Sequence, residues 1–185
     1  MKEFTTALLI GSLAFAVMPL ARAETAITPE VSPPGDIPDN QSFVTFTSPS
    51  GYTIKVPEGW ARKDDGTKTT FSDKYNHVLL QLGEATQPVN EAYAKSTLMP
   101  DLQKNSRAVD KVTIKTLTLK SGAAIALDYD SNSEPNSVTN KQVREENESL
   151  YYVKDRKLVT LTLSAPKGAD NIDQWLFMAN SFRWK

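Results

Sequence analysis

The chain has 185 residues, a formal net charge of −1 and no cysteine. Its length suits one domain with a sizeable buried core, and the missing cysteine excludes disulfides, cysteine nucleophiles and cysteine-ligated zinc. The balanced charge, without a basic patch interleaved with aromatic residues, argues against nucleic acid as a partner.

The first 23 residues have the three parts of a cleavable secretory signal. Lys2 supplies positive charge, Ala7–Val17 is almost entirely apolar, and Ala21-Arg22-Ala23 matches the A-x-A cleavage pattern. The apolar stretch is shorter than the ~20 residues of a membrane-spanning helix, and no cysteine is present at the cut for lipid attachment. We therefore expect cleavage before Glu24, export to the periplasm or the extracellular space, and no stable membrane insertion afterwards.

Residues 24–41 contain four prolines among acidic and small residues, without a periodic apolar pattern. Such a composition favours an extended, solvated chain. We therefore predict a flexible Pro-rich tail ahead of a single domain at residues 42–185. Two roles stay open for this tail: a disordered spacer, or a docking peptide for a partner.

The domain begins with alternating apolar residues that predict four short strands. Phe43–Thr47 and Tyr52–Val56 flank the turn Ser48-Pro49-Ser50-Gly51, a pattern typical of a β-hairpin. Two further short strands are predicted at Thr69–Ser72 and His77–Leu82.

A helix is predicted next, because Asn90 is a suitable N-cap for a run that reaches about Leu98. Pro100 interrupts this run, and Asp101–Asn105 adds another turn. Since proline disrupts the interior of a helix, we expect one kinked helix or two short ones.

A long strand follows at Val109–Leu119, which is rich in threonine, valine and isoleucine. Its apolar phase changes between Ile114 and Leu117, which predicts a β-bulge at that point. Three more strands are predicted, with a polar loop at Ser131–Asn140 after the first of them: Ala123–Tyr129, Ser149–Val153 and Leu158–Ser164.

The last predicted helix begins after Asp170 or Asn171, either of which is a suitable N-cap, and Asp173 favours the positive end of its dipole. Phe182 and Trp184 alternate behind it and predict a short closing edge strand. Four apolar residues of the helix recur at i, i+3, i+4 and i+7 and predict its buried face: Ile172, Trp175, Leu176 and Ala179.

The order of elements is strands, helix, strands, helix. Short turns join consecutive strands, so these strands are expected to pair as antiparallel neighbours. A sheet buries its apolar faces economically under helices. The sequence therefore predicts an α+β fold, a central antiparallel sheet with helices packed on its faces.

Two short motifs carry a resemblance to the PsbP/Mog1 fold family. They are Val56-Pro57-Glu58-Gly59-Trp60 behind the opening hairpin and Asn180-Ser181-Phe182 behind the final helix. The likeness covers about Phe43–Lys185 and implies an α/β/α sandwich. Better-known members of that family are accessory or binding proteins, without agreed catalytic residues.

The chain also resembles uncharacterised secreted proteins and lipoproteins of actinobacteria within the same broad group. This likeness rests on Ser133–Lys141, Gly168–Trp175 and Ser181–Trp184. Those relatives usually have glycine where this chain has Asn140, and many carry a lipid-attached cysteine that is absent here. The resemblance implies a location in the cell envelope without a lipid anchor.

Several catalytic and cofactor sites are excluded by residue type. His77 is the only histidine, and no G-x-S-x-G motif presents a serine, so a hydrolytic triad is not expected. A zinc site built from histidines is excluded for the same reason. Residues 24–185 contain no P-loop or G-x-G-x-x-G motif, so no nucleotide cofactor is predicted.

Carboxylates remain as candidate functional groups. Asp128 and Asp130 are expected on one face of a strand, with Tyr129 on the other. They lead into a polar loop, which is followed by three more acidic residues, two basic residues and two tyrosines. Residues of this kind can recognise a ligand or partner, and we select five of them as candidate binding residues: Asp128, Asp130, Asn136, Lys141 and Arg144.

The predicted function is that of an exported, non-enzymatic binding or accessory protein of the bacterial cell envelope. Its partner would be an envelope protein or a small ligand. No catalytic residue, cofactor or metal site is predicted. Two alternatives stay open: a hydrolase that uses carboxylates such as Asp128 or Glu145 as acid and base, and an envelope protein that depends on Ca²⁺ bound near Asp128.

Overall fold

The computed structural model describes residues 24–185, so the predicted secretory signal lies outside the described residues. Seven strands form a large antiparallel sheet in the order β3-β4-β5-β9-β8-β7-β6. Their bounds are β3 Ala61–Asp64, β4 Lys68–Ser72, β5 His77–Glu84, β6 Arg107–Leu119, β7 Gly122–Asn132, β8 Arg144–Lys154 and β9 Lys157–Pro166. A small antiparallel sheet has the order β1-β2-β10 and contains β1 Phe43–Ser48, β2 Tyr52–Pro57 and β10 Arg183–Trp184.

Helices are few. The chain between β5 and β6 forms α1 (Glu91–Tyr93), a π-helical segment (Ala94–Leu98) and α2 (Met99–Asn105), and α3 (Ile172–Ser181) follows β9. The predicted α+β architecture is therefore confirmed, including its antiparallel sheet. Within residues 24–185, no helix is long and apolar enough to cross a membrane.

The strand that the sequence analysis missed is β3. All four residues of Ala61–Asp64 are exposed, so this edge strand carries no alternation of buried and exposed residues that could predict it. The strand predicted at Ser149–Val153 begins earlier, at Arg144. Its first five residues are all polar, so no apolar alternation marks this earlier start in the sequence.

Both faces of the large sheet are buried, and this explains a wrong prediction. Leu117 packs in the core beneath α3, whereas Ile114 packs in a second core beneath the helices between β5 and β6. The apolar phase changes between them for that reason, and the pairing of β6 with β7 is regular there. The bulges lie earlier, around Ala108 and Lys111, which both have positive φ.

The mid-chain helix confirms the predicted cap and interruption. The Asn90 side chain accepts a hydrogen bond from the backbone N–H of Tyr93 at 3.0 Å. Pro100 has no N–H to donate to the carbonyl four residues earlier, and the π-helical segment lies directly before its turn. The result is one helix with an irregular middle.

Residues 24–41, which we call the strap, form no helix or strand but lie against the domain. Glu24 pairs with Arg107 at 2.9 Å near the start of the strap, and Ile37 is 3% exposed near its end. The buried Asn171 side chain accepts from the Ile37 N–H at 2.6 Å and donates to the Gly35 carbonyl at 3.0 Å. The expected free tail is therefore corrected: buried polar partners in the domain hold this proline-rich segment.

These contacts also correct the expected capping of α3. Asn171 is at the N-cap position, but its side chain makes no capping hydrogen bond. Its amide instead binds the strap and donates to Asn76 Oδ1 at 3.1 Å. Asp173 does lie in the first turn, as predicted.

We expect Asn171→Ala to release the strap. The substitution leaves the buried Ile37 N–H without an acceptor, and an unsatisfied buried donor costs about 1–3 kcal/mol. Hydrogen exchange at Ile37 should accelerate by at least tenfold, with a matching loss of stability in urea. Asn40→Ala, at an exposed position of the same segment, should change neither; protection of Ile37 in the Asn171 variant would contradict the expectation.

Candidate functional site

The large sheet changes from apolar to charged on the face that α3 covers. Beyond the buried Ala126 on β7, the next side chains on this face are Asp128 and Asp130, opposite Glu148 and Glu146 on β8. Like charges directly opposite each other in an antiparallel pair are destabilising. Two such pairs in succession therefore lower the stability of the folded protein, which suggests a role other than folding.

A cavity of about 410 Å³ lies above these pairs and is called here the α3 pocket. Its charged floor contains Lys111, Lys115, Asp128, Asp130, Glu146 and Glu148. Its apolar wall is the first half of α3, with Ile172, Trp175 and Leu176. The pocket therefore joins an apolar surface to a charged one.

The predicted buried face of α3 is confirmed for Ala179, which is buried, and for Trp175, which packs against the core. It is wrong for Ile172 and Leu176. Ile172 is 74% exposed and Leu176 is 50% exposed, whereas Met178 and Ala179 are buried. Phe182, just behind the helix, lies between two core tyrosines. Because the residues three and four positions before it then turn to the core, the apolar residues at the start of α3 face the pocket.

The two aspartates of the floor are paired with lysines. Asp128 forms an ion pair with Lys115, and Asp130 forms ion pairs with Lys167 and, at 3.4 Å, with Lys111. In contrast, neither glutamate of the floor has an ion pair with a residue in the described part of the chain. The carboxylates on the β8 side of the pocket therefore have no direct ion-pair partner among the described residues, and the nearby charges of Lys115 and Lys167 favour their ionised forms.

Burial sets the protonation of these glutamates. It raises the pKa of Glu148 to about 7, the charge of Asp128 adds to this rise, and Lys115 opposes it. Burial also raises the pKa of Glu146, against a hydrogen bond from the Gly168 backbone. Near neutral pH, Glu148 is thus present in both protonation states and can donate or accept a proton.

The structure does not bring the five predicted binding residues together. Asp128 and Asp130 share the α3 pocket, with Tyr129 in the core on the opposite face, as predicted. Arg144 is 3% exposed and donates to Asp110 at 2.6 Å and to the Ala108 carbonyl at 2.8 Å. Its donors tie the bulged start of β6 to β8, which corrects its predicted role in binding.

The other two predicted residues lie in the hairpin between β7 and β8. The Asn136 side chain accepts from the backbone N–H groups of Val138 and Thr139, each at 3.0 Å, so it shapes the turn. Asn136 and Lys141 line a separate cavity of about 370 Å³ with Glu145. Burial raises the pKa of Glu145 to about 7, but this cavity has no exposed apolar wall like that of α3.

Asn140 completes this turn in a left-handed conformation, with φ of 55°. This agrees with the glycine that the resembling proteins usually have there, since glycine adopts positive φ without steric strain. Asn140→Val should lower the free energy of unfolding by about 1–3 kcal/mol, because a β-branched residue is strained at this φ. Asn140→Gly should retain stability to within about 1 kcal/mol; equal losses in urea denaturation for the two variants would contradict this explanation.

The Ca²⁺ hypothesis finds no ligand set in residues 24–185. No group of three histidine, cysteine or acidic residues there is placed to hold a metal ion. Asp128, near which the ion was expected, is instead paired with Lys115, and its neighbour on the same face, Asp130, is paired with Lys111 and Lys167.

Sequence reasoning missed most of the pocket. The acidic run at Glu145, Glu146 and Glu148 was visible, but its strand was assigned from Ser149, so the alternation along the charged part of β8 went unused. Leu176 is predicted in the core but lines the pocket, and Trp175 both packs against the core, as predicted, and lines the pocket. An earlier start for β8 would have placed Glu146 and Glu148 on one face.

The order of strands and helices defines an α+β domain. The chain is similar to the solution structure of cyanobacterial PsbP (CyanoP) from Synechocystis sp. PCC 6803, with a TM-score of 0.55 and 17% identity. The match covers 82% of this chain and 99% of that one. The PsbP/Mog1-like fold implied by the resemblance is thus confirmed.

Two further structures are more distantly similar. LpqN, involved in cell envelope biogenesis of Mycobacterium tuberculosis, has a TM-score of 0.47 and 12% identity, over 78% of this chain and 91% of that one. A Pseudomonas aeruginosa protein of unknown function has a TM-score of 0.46 and 12% identity, over 72% and 90%. No family model and no curated protein sequence matches the chain. A shared fold does not establish a shared activity.

Proposed function

We propose that the protein is an exported accessory protein of the bacterial cell envelope that binds a ligand in the α3 pocket without transforming it. The secretory signal pattern at residues 1–23 supports export. The PsbP-like fold is compatible with a binding role. One observation carries the proposal: an exposed apolar helix face meets half-buried carboxylates inside a concave pocket.

The size and composition of the pocket suit a small ligand. Its volume of about 410 Å³ is within the range of about 300–1,000 Å³ typical of ligand sites. Exposed Ile172 and Leu176, and the acidic pairs across β7 and β8, are unfavourable for the folded chain on its own. Features that oppose folding in this way are typical of binding sites, where a ligand offsets them.

Native mass spectrometry tests the binding role. The protein is purified from the envelope of its own host, and a small molecule should remain bound to the wild type. Leu176→Gln makes the pocket wall polar and should remove that mass, whereas Val138→Gln, at a 91% exposed position of the distant hairpin, should retain it. A bound mass that survives Leu176→Gln, or a wild type that never carries one, would contradict the proposal.

Export is tested separately. N-terminal sequencing of the protein recovered outside the cytoplasm should begin at Glu24, which follows the A-x-A pattern. An intact Met1 would contradict export, and it would leave the pocket assignment untouched.

A second candidate function is hydrolysis by a pair of carboxylates. It is favoured by Glu148, whose pKa of about 7 suits a general acid, opposite Asp128, which could act as base or nucleophile. Chromogenic glycosides and esters should then be hydrolysed by the wild type. Glu148→Gln and Asp128→Asn should each slow turnover by at least a hundredfold; a wild type without turnover across the panel would remove this candidate.

A further inference from the structure

We propose that the ligand of the α3 pocket is a small amphipathic amine, whose apolar body packs on Ile172, Trp175 and Leu176 and whose cationic group binds beside Glu146 and Glu148. This inference rests on the proposed binding role of the pocket and adds the chemical class of the ligand.

The sign of the charge follows from which floor residues already have partners. Lys115 is paired with Asp128, and Lys111 and Lys167 are both paired with Asp130. An anionic ligand would compete with Asp128 for Lys115 or with Asp130 for Lys111, and it would approach two further carboxylates. A cation instead meets two glutamates that have no ion pair in the described part of the chain, so charge complementarity favours an amine.

The apolar part follows from the wall. Ile172 is 74% exposed and Leu176 is 50% exposed, with the half-buried Trp175 between them. These residues form one continuous face of α3 above the charged floor. A fully polar cation such as a metal ion would leave that face in water, whereas a hydrocarbon body removes it from water. An indole beside a cation site adds a favourable cation–π contribution.

Protonation of the floor gives the inference a second signature. Glu148 faces Asp128 on β7 and Lys115 on β6. Its neighbour on the same face of β8 is Glu146, and the turns of α3 that face it are apolar. Burial holds the pKa of Glu148 near 7, and a bound cation favours the ionised carboxylate. Binding therefore releases a proton, and affinity should increase between pH 6 and pH 8.

The test compares three molecules that share one hydrocarbon chain and differ in head group: octylammonium, octanoate and octanol. Each is titrated calorimetrically into the protein expressed from the full chain, below its aggregation concentration. Octylammonium should bind at least tenfold more tightly than octanoate, with octanol between them. It should also bind severalfold more tightly at pH 8 than at pH 6.

Two variants assign that preference to the pocket. The double variant Glu146→Gln and Glu148→Gln should bring octylammonium to the affinity of octanol, and Leu176→Gln should weaken all three molecules. Glu58→Gln, an exposed glutamate outside the pocket, is the matched control and should behave as the wild type.

The outcomes separate this inference from the proposed function. Octanoate binding as tightly as octylammonium, in a manner sensitive to Leu176→Gln, would overturn the amine and support the pocket as a site. Failure of all three molecules would also overturn the amine, and the mass retained in the native experiment would then decide whether the pocket binds another ligand. An octylammonium affinity that is unchanged in both pocket variants would overturn the inference, because the amine would then bind elsewhere.

Discussion

Replacing Phe182 by alanine should lower the free energy of unfolding by about 3–5 kcal/mol. Phe182 is fully buried, stacked on Tyr152 with ring centroids 4.0 Å apart and on Tyr52 at 5.4 Å. Trp184 meets its edge at 5.3 Å. Alanine would leave a cavity where α3, the small sheet and the large sheet meet, and no neighbouring side chain is free to fill it without losing its own contacts.

Urea denaturation measures this loss, and the same helix offers a control. Phe177 is 46% exposed, and within residues 24–185 its ring contacts one other ring, that of Phe43, with centroids 4.8 Å apart. Phe177→Ala should therefore cost about 1 kcal/mol, since much of its surface is already in water. Similar losses for both variants would mean that the aromatic cluster does not hold α3 on the sheets.

The regular parts of this fold could be predicted from sequence because their signals are local. The opening hairpin, the Asn90 cap and the alternation from Ala123 to Tyr129 each depend on residues a few positions apart. Hairpin connections then determine most of the sheet order. The position of β3 at the sheet edge could not be found in this way, because an exposed charged strand has no buried face to pattern it.

The features that could not be predicted depend on contacts between residues that are far apart in the sequence. The proline-rich composition of the strap indicates an extended chain, but its position depends on the side-chain amide of Asn171. This amide accepts a hydrogen bond from the backbone N–H of Ile37, which is 134 residues away in the sequence. The bulged start of β6 is held by Arg144, whose guanidinium reaches across from β8 to the Ala108 carbonyl and the Asp110 carboxylate. Such contacts leave no periodic trace in the sequence.

Only half of the candidate site could be predicted from the sequence, for a related reason. Periodicity placed Asp128 and Asp130 on one face, but it could not show that β8 sets Glu148 and Glu146 opposite them. An apolar stripe on a helix likewise predicts burial. The packing of Phe182 against Tyr152 orients α3 so that Leu176 stays half exposed, and the stripe alone does not show this. Exposed apolar side chains and like charges placed opposite each other both reduce the stability of the fold. Features of this kind are expected at functional sites.

Glu148→Gln should stabilise the protein at pH 8 by about 3 kcal/mol and leave its stability at pH 4 unchanged. The pKa of Glu148 is about 7 in the folded protein, against an ordinary value of 4.5. Below about pH 4.5 the carboxyl is protonated in both folded and unfolded chains, so its burial carries no charge penalty. As the pH increases towards 7, only the unfolded chain ionises freely, and the folded state loses about 1.4 kcal/mol for each pH unit.

Glutamine has the shape of the protonated side chain and cannot ionise, so the variant avoids this loss. Urea denaturation of both proteins at pH 4, 6 and 8 isolates the contribution of Glu148, because the ionisation of Glu145 affects both equally. The exposed Glu58→Gln should change stability at neither extreme. Equal stability of Glu148→Gln and the wild type at pH 8 would mean that the carboxylate is solvated in the folded protein. The increase in amine affinity expected between pH 6 and pH 8 would then be lost, because it depends on the raised pKa of Glu148.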